Sequence, residues 1–234
     1  MLERNEFFRQ NRSEVVQLQG NIRGTVNTLR GKDLNVILAR NTVIEGDFFS
    51  YNLAVPELQS LNLRLDRLAT EMRTLRQIIP GLNNLPENYN KLGRLNFSGS
   101  FDGFFTDFVA YGDLRSAVGR AVMDMRMDLS KGRNKAQYSG NLDLINFDLE
   151  EWTNNSDFGN ITFSSRVLDG VGLTGSTVNA KLEAEVDSFT YKKYRYKNLA
   201  FEGQLTKNLF DGLLVSMDQN VDFSFMGTID YSSA

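Results

Sequence analysis

Apolar and polar residues alternate with a period of two along several stretches of this chain, and the alternation returns from about residue 95 to the end. Ala121, Met123, Met125, Met127 and Leu129 are apolar, while Asp124, Arg126 and Asp128 between them are charged. Val178, Ala180, Leu182, Ala184 and Val186 repeat the pattern against Asn179, Lys181, Glu183, Glu185 and Asp187. Val221, Phe223, Phe225, Ile229 and Tyr231 do so again, opposed by Asp222, Ser224, Thr228 and Asp230. Successive side chains of a strand point to opposite faces, so each run predicts a strand with one apolar and one wet face. Many such strands joined by short turns predict an antiparallel-rich, mainly β fold with a continuous apolar surface on one side.

Extended over the whole chain, the pattern predicts strands at 15–23, 34–39 and 41–48, and one ending near Asp66. Nine more follow, at roughly 93–101, 103–111, 119–130, 135–145, 160–168, 177–190, 194–205, 209–217 and 220–231. Gly31-Lys32-Asp33 and Glu45-Gly46-Asp47 supply turn or bulge chemistry among the first strands. The stretch 51–79 carries two periods: Leu61, Leu63 and Leu65 alternate, yet Leu61, Leu65, Leu68, Met72, Leu75 and Ile79 recur at helical spacing. The reading adopted is a strand followed by one short helix over 71–79, with Thr70 as N-cap and Pro80-Gly81 as its stop. Residues 1–12 form a lead-in, 13–66 strands, 67–92 the helix and a loop, and 93–234 the repeated strands of a single segment.

Composition narrows the chemistry. The 234 residues include no histidine and no cysteine, which removes the commonest general base and metal ligand together with thiol chemistry, and argues against an enzyme. Net charge is −3 with scattered cations, which argues against nucleic acid as a partner. No apolar run is long enough for a membrane helix.

Motif matches reduce to turns and surface. Gly170-Val171-Gly172-Leu173-Thr174-Gly175 fits G-x-G-x-x-G, but that mechanism needs a helix next, and the cleanest strand pattern follows. The stretch from Asn155 to Asn160 imitates a calcium loop, with Arg166 where a carboxylate ligand belongs. Glu150 and Glu151, read as strand neighbours, face opposite ways and do not converge. Phe189, Tyr191, Tyr194 and Tyr196, interleaved with Lys192, Lys193, Arg195 and Lys197, read as cross-strand aromatic packing around a turn rather than a base-stacking platform. No cofactor or metal is expected.

Several motifs carry a family likeness. Tyr194-x-Tyr196-x-Asn198-Leu199, Gly203-x-Leu205, Phe210-x-Gly212, Asp218-x-Asn220 and Phe225-x-Gly227-x-Ile229-Asp230 resemble the repeating unit of AsmA-like proteins. The likeness is in particular to the translocation and assembly module subunit TamB family of the Bacteroidetes type. Leu92-Gly93-Arg94-Leu95-Asn96-Phe97-Ser98-Gly99-Ser100-Phe101-Asp102-Gly103 is similar to that family's lead-in strand, and the likeness runs from about Val15 to the end. It implies a long curled β-sheet trough, with an apolar inner face that moves phospholipid between inner and outer membrane and supports outer-membrane protein assembly. It also implies an internal segment of a longer periplasmic chain, anchored in the inner membrane and meeting an outer-membrane assembly partner through parts not present here. The groove residues expected to meet acyl chains are Met123, Met125, Met127, Leu129, Val178, Ala180, Leu182, Ala184, Val186, Val221, Phe223, Phe225 and Ile229. A closed β-sandwich scaffold and an outer-membrane barrel are the alternatives that the same alternation allows.

Overall fold

The computed structural model describes residues 15–25, 27–38, 41–52, 55, 58–78, 85–173 and 176–230. The fold is mainly β. Its strands are β1 (Val16–Thr25), β2 (Thr28–Leu38), β3 (Thr42–Tyr51), β4 (Ser60–Glu71), β5 (Arg94–Phe104), β6 (Asp107–Ser116) and β7 (Gly119–Asp128). They continue as β8 (Gln137–Asp148), β9 (Phe158–Val171), β10 (Asn179–Tyr191), β11 (Tyr194–Thr206), β12 (Leu209–Met217) and β13 (Asp222–Asp230). The thirteen strands stand in the sheet in sequence order, antiparallel, and the order is open, with β1 and β13 at its ends. Among the described residues two short α-helices interrupt them, α1 (Met72–Ile78) and α2 (Leu149–Thr153), together with 3-10 turns at Glu87–Leu92 and Arg133–Lys135.

The chain divides into two compact units, residues 1–101 with 113–118, and residues 102–112 with 119–234. In the first unit, residues directly opposed across β1 to β4 sort into two faces. Leu18–Val36–Ile44–Leu68 and Ile22–Gly31–Phe48–Leu63 run across the apolar face. Gln19–Asn35–Glu45–Arg67 and Arg23–Arg30–Phe49–Asn62 run across the wet face. On the apolar face Thr42 and Thr70 are buried, and their hydroxyls meet at 2.7 Å. That bond corrects the expected N-cap: Thr70 lies inside β4, its hydroxyl is committed to Thr42, and α1 begins two residues later without an acidic side chain in its first turn. Pro80-Gly81, the expected stop, and the lead-in 1–12 lie outside the described residues.

The second unit holds β7 to β13. One of its hairpins holds two lysines in the left-handed region. Lys192 and Lys193 both have positive φ, 47° and 68°, the signature of a two-residue turn whose twist matches its strands. Helix α2 was not expected. Asp148 caps it, accepting a hydrogen bond from the Glu151 N–H at 2.9 Å. Glu150 and Glu151 therefore sit on a helical turn, and the argument that strand geometry separates them does not apply.

Phase slips are the recurring device in both units. Asp33 in β2, Asp66 in β4, Asn146 in β8, Leu168 in β9 and Asp187 in β10 are each an extra residue against a neighbouring strand. Asp33, Asn146 and Asn198 have φ of 52°, 49° and 55°, a region Asp and Asn enter at low cost. Each slip advances the apolar side of the strand by three residues instead of two: Leu65 to Leu68, Leu144 to Phe147, Val186 to Phe189. In β11 the same step runs from Tyr196 to Leu199 around Asn198, in step with β10, so the pairing of β10 with β11 stays in register.

Candidate functional site

Following the register across the second unit gives four transverse rows on one face. The first is Ala121–Leu144–Phe163–Val186–Leu199–Ser216–Phe223, and the second Met123–Leu142–Ser165–Ala184–Phe201–Leu214–Phe225. The third is Met125–Gly140–Val167–Leu182–Gly203–Gly212–Gly227, and the fourth Met127–Tyr138–Gly170–Ala180–Leu205–Phe210–Ile229. Among these twenty-eight positions there is no charged residue. Seven strands about 4.8 Å apart make each row roughly 30 Å long, comparable to the hydrocarbon thickness of a whole bilayer.

Ten of the thirteen expected groove residues fall in these rows: Met123, Met125, Met127, Ala180, Leu182, Ala184, Val186, Phe223, Phe225 and Ile229. Leu129, Val178 and Val221 lie just beyond strand ends, where their backbones close connections. The Leu129 N–H donates to the Thr106 carbonyl at 2.6 Å, and the Val178 carbonyl accepts from the Lys207 N–H at 3.1 Å. The Val221 carbonyl accepts from the Ser216 hydroxyl. Residues such as Leu142, Phe163, Phe201 and Leu214 complete the rows and were not singled out. Their signal was present as shorter alternating runs, broken by the phase slips.

Side-chain size shapes the face. Gly203, Gly212 and Gly227 are consecutive members of one row, and aromatic rings lean over glycines nearby. A Cβ on Gly203 would come within 2.9 Å of the Phe210 ring, and one on Gly170 within 2.4 Å of the Tyr138 ring. Such rings cover backbone that the missing side chain leaves bare. Tyr138 reaches further, its hydroxyl donating to the Gly172 carbonyl at 3.2 Å, and burial pushes that hydroxyl above the ordinary tyrosine range.

One end of the face is aromatic. The slips at Asp187 and Asn198 bring Phe189 and Tyr196 opposite each other on the apolar side, next to Ile161 and Phe147. Phe158, Phe189, Tyr191 and Tyr196 pack with centroids 5.6 to 6.4 Å apart, the cross-strand cluster the sequence suggested. Trp152 of α2 meets Phe147 edge-on at 5.6 Å. Tyr194 anchors the corner: its hydroxyl donates to Asp218 and accepts from Asn220 Nδ2 at 2.8 Å, while Asp218 also accepts from the Lys197 N–H at 3.0 Å. The hydrogen bond from Tyr194 holds the Asp218 carboxyl below its ordinary value, and the same bond raises the Tyr194 hydroxyl.

The opposite face is charged across β7 to β11, as in the row Asp124–Asn141–Arg166–Glu183–Glu202, and turns apolar on β12 and β13, where the same row ends in Leu213 and Met226. Among the described residues no three acidic side chains converge as metal ligands, and no helix is long and apolar enough to cross a membrane. Compared with protein-family models, with curated proteins and with solved structures, the chain matches none.

Proposed function

We propose that the apolar face of the second unit is a track for phospholipid acyl chains. On this reading the chain is a periplasmic segment of an AsmA-like, TamB-type envelope protein, which conducts phospholipid between inner and outer membrane and so supports outer-membrane biogenesis and protein assembly. The single observation that carries it is the set of four uncharged rows, kept in phase across β7 to β13 by bulges. An acyl chain laid along them gains about 0.8 kcal/mol for each methylene fully removed from water, with no directional contact to break as it slides. Methionine at Met123, Met125 and Met127 adapts to chains of different shape. The sequence likeness supplies the envelope setting, and the lack of histidine and cysteine fits a conduit better than a catalyst. Curling of the sheet into a trough belongs to the same proposal.

Organic extracts of the purified chain, analysed by mass spectrometry, test this reading. Phospholipid retained in stoichiometric amount is expected. A lipid-free protein that also leaves fluorescent acyl probes unbound would favour a scaffold whose rows are covered by another layer of protein.

A further inference from the structure

The wet face of the first unit carries a different feature. Arg23 of β1 stands directly opposite Arg30 of β2, and Lys32 opposite Asn21 one step along the same face. Directly opposed Cβ atoms lie about 5 Å apart, and like charges in that position repel. No side-chain hydrogen bond or ion pair is made by Arg23, Arg30 or Lys32 among the described residues, whereas Arg64 pairs with Asp66 at 3.0 Å and Arg67 with Glu45 at 3.9 Å. Asn21, Arg23, Arg30, Lys32 and Asp33 line an open concavity of about 470 Å³. Of the acidic groups there, Asp33 lines it, and Asp47 is engaged by the Asp33 N–H at 2.7 Å. Three cations against the carboxylates of Asp33 and Asp47 still leave a net positive charge, with two of the cations on directly opposed residues.

We propose that this concavity between β1 and β2 binds a phosphate group. A phosphate would relieve the repulsion between Arg23 and Arg30 and accept bidentate hydrogen bonds from both, with Lys32 adding a third donor and Asn21 an uncharged one. The group can come from a phospholipid headgroup or from a soluble phosphate compound, since the chemistry of recognition is the same. The site lies in the other unit from the apolar rows, on the wet face of its own strands, so it stands or falls independently of the lipid track.

The test is titration of the full chain with inorganic phosphate, followed by amide chemical shifts, alongside sedimentation with phosphatidylglycerol or phosphatidylcholine vesicles. Wild type is expected to bind phosphate, with shifts centred on β1 and β2 that fade as salt rises. The double variant Arg23→Gln, Arg30→Gln should lose at least about tenfold in affinity. Its thermal midpoint should hold or rise, because a like-charge pair is gone. Lys181→Gln, which removes a cation from the wet face of the second unit, should leave binding unchanged. Phosphate binding with retention on phosphatidylglycerol vesicles, both lost in the double variant, assigns the headgroup as source. Phosphate binding without vesicle retention assigns a soluble compound. No phosphate binding, binding that survives the double substitution, or equal weakening by Lys181→Gln overturns the proposal.

Discussion

The middle strands and the last strand of the second unit share the same rows yet differ sharply in burial. Ala180, Ala184 and Val186 of β10 are 2%, 5% and 7% exposed, while their row partners on β13, Ile229, Phe225 and Phe223, are 40%, 38% and 41% exposed. Every residue of β10 has a strand on both sides, and its small side chains are overshadowed by Phe163, Phe201 and Tyr138 in adjacent positions. Strand β13 pairs only with β12 among the described residues, and its large side chains have neighbours on one side. Alternation decides which face a residue joins. Side-chain size and the number of neighbouring strands decide whether water reaches it.

The largest effect is expected where a charge enters the middle. Val186→Asp should cost about 3 kcal/mol or more, because the carboxylate must either be desolvated or take up a proton. Phe223→Asp, in the same row, should cost only about 1 kcal/mol, the share of phenylalanine burial that an exposed site retains. Urea unfolding of both variants measures the contrast, and equal losses would break it.

Backbone crowding comes next. A Cβ on Gly212 would lie 2.2 Å from the Glu202 carbonyl oxygen and 2.6 Å from the Gly203 Cα, atoms that cannot rotate away. Gly212→Ala should therefore destabilise by about 1–3 kcal/mol through forced backbone shifts. A stability equal to wild type would show that β11 and β12 are less closely joined than β10 and β11.

Acid should loosen the corner where β11 meets β12. Asp218 has its folded pKa lowered below the ordinary 3.8, chiefly by the Tyr194 hydrogen bond. A depressed carboxyl contributes its stability above the unfolded pKa and loses it as pH falls through the folded one. Wild type should thus lose stability below about pH 4 more steeply than Asp218→Asn, whose amide does not titrate. Identical acid profiles would remove Tyr194–Asp218 from the account. The smallest effect is a gain. Lys193→Gly should add about 1 kcal/mol by relieving a left-handed lysine at φ 68° without touching either face, visible as a higher melting temperature.

Much of this architecture was legible in the residues. All thirteen strands were anticipated, with most ends within a few residues, because turn chemistry punctuates a clean alternation. The exceptions share one physical cause. Strand β2 begins at Thr28 rather than near Leu34, since Gly31-Lys32-Asp33 is a bulge inside the strand and not its beginning. The helical spacing of Leu61, Leu65 and Leu68 has the same origin: one extra residue, Asp66, turns a step of two into a step of three. Asp33, Asn146 and Asn198 mark such slips in the sequence, but only register shows which Asp or Asn is a bulge and which is simply on the wet face. The opposition of Arg23 to Arg30 was hidden for the same reason, since a pair across a hairpin is defined by its turn. Helix α2 was missed because five residues hold too little periodicity to declare one.

Neighbouring residues on opposite faces offer the most direct test of the lipid track. A photoreactive amino acid placed at Leu182 points into the third row, and one placed at Glu183 points to the wet face, a single residue away. Irradiation in cells producing the full chain, followed by mass spectrometry of the adducts, should yield phospholipid crosslinks at 182 and none at 183. Equal labelling at the two positions, or protein adducts alone at 182, would contradict the claim that this face carries acyl chains.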